Sequence, residues 1–358
     1  MGGAAITRYD GERFTTYAEE DGLAAGGVCA INQDRDGDLW FASGHHGISR
    51  FDGRKFTTLT TSEGLPHNEV YGIFTDPRGD LWFATHGGIG HLDGERFENF
   101  TTADGLASND VHSIAFGDHG DLWIGTDGGG VSHFDGRVFQ TLTVEDGLAS
   151  NVALSVVLHE DGALWITSNK GVTRHLPATP SPPPVRIDAV VADKRYQSVE
   201  TVSVPSSIAL LAFEFSAPSL KTRPGQIVYR YRLEGYESDW RMSRETRVEY
   251  SDLPRKVYTF QVFAVDRDLT YSESPAQVVV DVHLPYAQIL WGVSLILAIL
   301  LAIWLGLRLV NRDRGLRASN AELLQKTRDL KEANSKVEKA NRTKSAFLAN
   351  MSHELRPR

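Results

Sequence analysis

Cysteine is almost missing from these 358 residues: Cys29 stands alone. That excludes an intramolecular disulfide framework, an iron–sulfur cluster and any multi-cysteine zinc site. The opening residues, Met1-Gly-Gly-Ala-Ala-Ile-Thr-Arg, lack a basic n-region, an apolar stretch and a cleavage site, so no secretory signal is read there. Low-complexity composition is missing too. With 41% hydrophobic, 23% charged and 9% aromatic residues the chain is neither largely disordered nor a fibre. Excess positive charge is absent overall, 37 Lys and Arg against 46 Asp and Glu, which argues against non-specific nucleic-acid binding. The length suggests two or three domains.

Charge of either sign vanishes over ILWGVSLILAILLAIWLGL, residues 289–307. Nineteen residues at about 1.5 Å each span roughly 28 Å, close to the hydrocarbon core of a bilayer. A buried core helix of that length would show a polar stripe, so the run predicts a transmembrane helix, with Trp291 and Trp304 toward its ends. From residue 308 onward thirteen basic residues face six acidic ones, whereas residues 1–307 carry 24 basic and 40 acidic side chains. Arg308, Arg312, Arg314 and Arg317 crowd the C-terminal exit, and the positive-inside rule places 308–358 in the cytoplasm and the large N-terminal part outside. A 288-residue part does not normally cross a membrane without a secretory signal, so the expectation is that either the signal lies upstream or this product stays inside.

A repeat fills the first half. Trp40, Trp82, Trp123 and Trp165 each follow a leucine at spacings of 42, 41 and 42. YDGERF, FDGRKF, LDGERF and FDGRVF begin at Tyr9, Phe51, Leu92 and Phe134, and EDGL, SEGL, ADGL and EDGL end at Leu23, Leu65, Leu106 and Leu148. Each unit holds four strand-like runs, in the second copy 69–75, 81–85, 88–92 and 96–101, separated by Gly, Asp and Asn turns. Four strands per 40–45 residues is the pattern of a β-propeller blade.

Some residues invite a chemical reading. Asp34-Arg35-Asp36-Gly37-Asp38 has the look of a calcium loop but lacks the later ligands, and reads as a hairpin turn. Gly125–Gly130 lacks the Lys-Ser/Thr and the helix of a phosphate cradle, and is also a turn. His45, His46, His86 and His91 recur at blade edges in two repeats; they line a ligand or metal face or, the blander reading, are solvated loop residues. One tryptophan per blade reads as inter-blade core.

These repeats resemble the two-component regulator propeller family, over residues 1 to about 176. That family's rings need about seven blades, and GGAAITRYDG aligns with HHGISRFDG, so the chain is expected to begin inside a blade and to hold about four. Residues 177–184 carry five prolines and mark a linker. Beyond them Ile227, Tyr229, Tyr231 and Leu233 alternate with Arg230 and Arg232, Tyr258, Phe260, Val262 and Ala264 share a face, and about six strands predict an Ig-like β-sandwich. YRYRLEGYESDW and YTFQVFAVD resemble the tyrosine-rich Y_Y_Y sandwich that sits before the membrane in the same family. After the membrane, Leu316, Leu323, Leu330 and Val337, with Ala333, Ala340 and Phe347 at the complementary positions, follow a heptad, the pattern of a parallel coiled coil.

The heptads run into KSAFLANMSHELRPR, which resembles the phosphoacceptor box of sensor histidine kinases. The resemblance implies His353 as the phosphoacceptor and Glu354 as its acid/base neighbour. It also implies a second bundle helix and an ATP-binding domain, which these 358 residues do not encode, so ATP and Mg²⁺ are expected only there and no cofactor or metal here.

The sequence thus predicts a mainly β chain with a C-terminal α segment. Its parts are a partial propeller of about four blades (1–176, the first incomplete), a Pro-rich linker (177–184), a Y_Y_Y-type sandwich (185–284), one transmembrane helix (288–308), a coiled-coil signalling helix (311–345) and a cut-short phosphoacceptor, or dimerisation, segment (344–358). The expected protein is a single-pass inner-membrane sensor histidine kinase, cut at both ends and inactive as a kinase alone. Its expected partners are a second copy through the cytoplasmic helix, a response-regulator receiver domain and an external ligand such as a glycan, with no nucleic acid. The alternative is a membrane-anchored propeller binding or scaffold protein, for which FLANMSHEL would have no use. A propeller hydrolase or lyase is disfavoured, because no paired acid/base residues break the repeat.

Overall fold

The computed structural model describes residues 5–354 apart from 95, 119 and 178, and in the terminal helix without the side chains of 287, 347 and 349–354. It divides into two compact units, Met1–Leu284 and Pro285–Arg358.

The first unit opens with a hairpin, β1 (Ala5–Tyr9) and β2 (Phe14–Ala18). Three four-stranded antiparallel blades follow. The first is β3 (Val28–Gln33), β4 (Leu39–Ser43), β5 (Ile48–Phe51) and β6 (Phe56–Leu59). The second is β7 (Val70–Thr75), β8 (Leu81–Thr85), β9 (Gly88–Asp93) and β10 (Arg96–Phe100). The third is β11 (Val111–Phe116), β12 (Leu122–Thr126), β13 (Gly130–Phe134) and β14 (Phe139–Leu142). A three-stranded blade, β15 (Ala153–Leu158), β16 (Leu164–Ser168) and β17 (Gly171–His175), ends the series. The first strands of successive blades are neighbours: Asn32 on β3 donates to the carbonyl of Ile73 on β7 (3.0 Å), and the backbone N–H of Val156 on β15 donates to Ser113 on β11 (3.2 Å).

The repeat marks are folding devices. In Thr60-x-x-Glu63, Thr101-x-x-Asp104 and Thr143-x-x-Asp146 the hydroxyl accepts from the second residue of a short 3₁₀ turn and the carboxylate accepts from the threonine N–H, a capping box. Each turn ends on a glycine at φ +106° to +109°, a conformation that penalises any Cβ. The leucine after it is buried: Leu65, Leu106 and Leu148 are 2%, 3% and 7% exposed, each burial stabilising by about 1.5–3 kcal/mol. The other mark is an Asx turn. Asp34 Oδ1 accepts from the N–H groups of Asp36 and Asp38, and its Oδ2 from Trp40 Nε1 at 2.7 Å. Its oxygens hold a hairpin and a tryptophan, the turn expected.

Trp40, Trp82 and Trp123 are 3–5% exposed, but Trp165 is 41% exposed. Each of the first three is covered by the blade that follows it, Trp40 by Phe83 and Trp123 by His175; among the described residues no blade follows Trp165.

The sandwich packs two sheets. One holds β18 (Arg186–Val191), β19 (Arg195–Gln197), β21 (Leu210–Ser216) and β24 (Arg247–Ser251); the other holds β20 (Thr201–Pro205), β22 (Val228–Glu234), β23 (Arg241–Ser243), β25 (Val257–Val265) and β26 (Ala276–His283). β19, β20 and β23 are short edge strands beyond the six that the alternation predicts. Phe213 and Phe260 stack at 4.0 Å in the core. Tyr229, Tyr250 and Tyr258 bury their rings while their hydroxyls bond the Ala217 N–H, Glu237 and the Pro254 carbonyl, the usual accommodation of a phenol in a core.

The second unit is one helix, α1 (Tyr286–Glu354), 69 residues long. Its apolar segment is exposed throughout, and it is long and apolar enough to cross a membrane.

Candidate functional site

Every first strand of a blade carries a β-bulge at the same place, between Val28 and Ala30, Val70 and Gly72, Val111 and Ser113, and Ala153 and Ser155. The residues squeezed out of the ladder are Cys29, Tyr71, His112 and Leu154. A bulge re-aims a side chain, and here four chemically different side chains occupy one repeated position while the scaffold marks around them stay constant. The residues just before these strands vary likewise: Gly27, Glu69, Asp110 and Val152. Beside them stand the turns after β4, β8 and β12, tied by backbone hydrogen bonds from Gly44 to Gly27, His86 to Glu69 and Asp127 to Asp110. One end of the blades therefore presents variable chemistry on a fixed frame.

The side chains there form a connected polar group. The Tyr71 hydroxyl donates to Glu69 (3.1 Å), and Glu69 faces His45 Nδ1 at 3.6 Å. The Tyr71 ring stacks on His112 at 4.8 Å. His86 Nδ1 lies 3.1 Å from Asp110 Oδ2, and His112 Nε2 lies 3.9 Å from carboxylate oxygens of both Asp110 and Asp127. Burial, the bond to Glu69 and the charges of Asp110, Glu69 and Asp127 push the Tyr71 phenol up to about 12. It is a neutral donor in a field of carboxylates.

Of the four histidines singled out by sequence, His45 and His86 belong to this group. His91 does not. It is on β9, stacked on Trp82 at 4.1 Å and facing Asp80 at 3.4 Å. The same arrangement recurs as Arg50 with Asp38 and Trp40 and His133 with Asp121 and Trp123, and in the last blade Arg174 lies over Trp165 with Asp161, from two positions earlier in the turn, as its partner. Arginine takes this position in two of the four blades, so His91 fills a structural place over the blade tryptophan. Tyr71 and His112 escaped sequence reading because a bulge is invisible to period-two patterning, although the Cys, Tyr, His, Leu series at one repeat position was available as a signal.

A concavity of about 900 Å³ lies between the third blade and the sandwich, lined by Phe139, Thr141, Arg223, Gln226, Met242 and Arg244 among others. Beside it Arg223 pairs with Glu145 and, at 3.0 Å, with Asp146, whose other oxygen is 3.7 Å from Arg267. Val138, Val228 and Val265 close a small apolar cluster there. The capping-box carboxylate of the last such turn thus also docks the sandwich.

The backbone of His353 and Glu354 is helical, within α1; their side chains, like that of Phe347, lie outside those described. Leu316, Leu323, Leu330 and Val337 are all exposed on the single chain.

The family model described as two component regulator propeller matches residues 64–87 and 105–128, and that of the Y_Y_Y domain matches residues 221–283. No curated protein matches the chain. Among solved structures it is similar to the extracellular domain of BT3049 of B. thetaiotaomicron, titled a hybrid two component system, at 19% identity and TM-score 0.42 over 72% of this chain and 38% of that one. It is also similar to the extracellular domain of BT4673 of the same organism, at 18% identity and TM-score 0.39 over 76% and 39%. Virginiamycin B lyase from Staphylococcus aureus matches at 16% identity and TM-score 0.33 over 68% and 92%. The chain spans about two fifths of the length of the first two. Two component regulator propeller repeats and a Y_Y_Y domain, joined with one helix of membrane-crossing length among the described residues, support a sensor-type role.

Proposed function

We propose that this chain is the sensing and membrane-crossing part of a sensor histidine kinase, with the propeller and sandwich outside the cell and the residues after Leu307 in the cytoplasm. The observation that supports it is α1: one unbroken helix leads from the uncharged run at 289–307 to the backbone of His353. A helix transmits rotation or translation along its length, whereas an anchor has no need of a rigid extension of some thirty residues carrying a heptad. In this reading an external ligand, such as a glycan, binds the propeller. Two copies pair through Leu316, Leu323, Leu330 and Val337, and the basic flank meets the anionic inner leaflet. A neutral ring nitrogen of His353 attacks the γ-phosphorus of ATP, the phosphorus–oxygen bond to ADP breaks, and the displaced ring proton passes to the Glu354 carboxylate. The phosphoryl group then passes to a response-regulator receiver domain. ATP and Mg²⁺ are held by an ATP-binding domain outside these residues.

The test is a chimera in which a second bundle helix and an ATP-binding domain follow Leu355. It is expected to give acid-labile phosphorylation at His353, lost in His353→Gln and reduced in Glu354→Ala. A folded, dimeric, ATP-binding chimera that leaves His353 unmodified would overturn the kinase reading in favour of the anchored binding protein.

A further inference from the structure

We propose that Asp110, His112 and Asp127 form a binding site for a divalent transition-metal ion of the Zn²⁺, Co²⁺ or Ni²⁺ kind. One ligand atom from each residue lies within 4.8 Å of the others, and His112 Nε2 is 3.9 Å from both Asp110 Oδ1 and Asp127 Oδ2. One imidazole with two carboxylates is a donor set for these borderline ions rather than for Ca²⁺ or Mg²⁺, which take oxygens alone.

Three observations separate this group from a chance gathering of surface charge. First, Asp110 Oδ1 and His112 Nε2 are buried atoms without a hydrogen-bond partner, and such atoms are costly unless something satisfies them. Second, the side chains are oriented from behind. Asp110 has its second oxygen 3.1 Å from His86 Nδ1, His112 is stacked on Tyr71, and the Asp127 N–H donates to the Asp110 carbonyl at 2.8 Å. Outer contacts of this kind fix ligands in metal sites. Third, the bulge between Val111 and Ser113 takes His112 out of the ladder and aims it at the two carboxylates. An ion about 2.1 Å from each donor needs the group to contract by roughly half an ångström, which Asp127, half exposed on its turn, can supply.

In the other comparable cluster, Asp76, Asp80 and His91, His91 Nε2 is likewise buried without a hydrogen-bond partner, but the remaining donors are already committed. Asp76 Oδ1 already accepts from the N–H groups of Arg78 and Asp80, and arginine replaces His91 in two other blades. With three protein donors, the Asp110 site leaves coordination positions for water or for oxygens of a ligand on the propeller face.

The experiment uses the untagged full chain in detergent, titrated with CoCl₂ and with ZnCl₂ by absorption and calorimetry. One saturable site with visible Co²⁺ d–d bands is expected, displaced by Zn²⁺. His112→Gln and Asp127→Asn are each expected to weaken binding at least tenfold, while His91→Gln binds as the parent does. Absence of saturable binding in the parent, undiminished binding in both site variants, or equal loss in His91→Gln would overturn the proposal. Near-ultraviolet circular dichroism of each variant verifies that it is folded, and Asp127→Asn, on an exposed turn, serves if His112→Gln is not.

Discussion

The hydroxyl of Tyr271 donates to the Asp135 carboxylate at 2.6 Å, joining the β13–β14 turn of the propeller to the sandwich across 136 positions of sequence. Burial and the bond to Asp135 hold the Tyr271 phenol well above its usual range. Gln140 Nε2 donates to the Val265 carbonyl at 2.9 Å nearby, so the third blade and the sandwich are one body. A shift in the third blade would therefore be felt by the sandwich strands.

Tyr271→Phe is expected to weaken that junction. A hydrogen bond to a charged group contributes about 1.5–3 kcal/mol, and Asp135 keeps its bonds from the Arg137 and Val138 N–H groups, so a loss of about 1–2 kcal/mol is expected in denaturant unfolding. Amide exchange around 264–271 should accelerate. Parent-like exchange there would show that the pair does not hold the two domains.

Asp146 and Asp104 occupy the same repeat position, and only Asp146, 5% exposed at its side chain, meets Arg223 and Arg267. Asp146→Asn removes the buried carboxylate that Arg223 and Arg267 share, while Glu145 and Asp268 still pair with them, and should cost about 2 kcal/mol or more, the cap included. Asp104→Asn should cost only about 1 kcal/mol, the worth of a cap. Equal melting-temperature changes in the two variants would remove the docking role.

The uncovered face of the last blade carries Val157 and Val172, 56% and 61% exposed, with Trp165 beside them. Exposed apolar patches of this kind drive association. Val157→Lys with Val172→Lys is expected to lower light scattering of the chain at equal concentration while changing stability by under about 0.5 kcal/mol. Unchanged scattering would mean that this face does not self-associate.

His175, at the end of β17, has its imidazole pushed below the usual value by burial, with the charges of Asp268 and Arg267 acting in opposite directions. The fold therefore disfavours the protonated ring. Its stability contribution is complete above the unfolded-state value of about 6.5 and declines as pH falls through it. The unfolding midpoint should drop more steeply between about pH 7 and 5 in the parent than in His175→Asn, and superimposable pH profiles would contradict this.

Replacing Leu330 by Asp is expected to abolish cross-linking between cysteines placed at 323 and 337 in membranes, since a charge in a heptad seam opposes pairing. Cross-linking that persists would exclude the coiled coil.

What the sequence by itself determined is whatever repeats or runs. The 41- and 42-residue period, the capping boxes, the Asx turns before tryptophan and the strand alternation of the sandwich rest on neighbours a few residues apart, so local hydrogen bonding and period-two burial make them legible. The uncharged run at 289–307 is legible because a bilayer acts on composition alone. The tertiary structure decided what depends on distance in sequence. Sequence treats His86 and His91 alike, yet one joins the polar face and the other lies on a tryptophan, because strand pairing leaves His86 in the β8–β9 turn and sets His91 within β9 opposite Trp82. Tyr71 and His112 became candidates only through the bulges, which one residue of slack in the ladder creates. Asp146 became a docking carboxylate only because Arg223 and Arg267, 77 and 121 positions later in the chain, fold back onto its turn, and no local pattern encodes which of three equivalent capping boxes meets them.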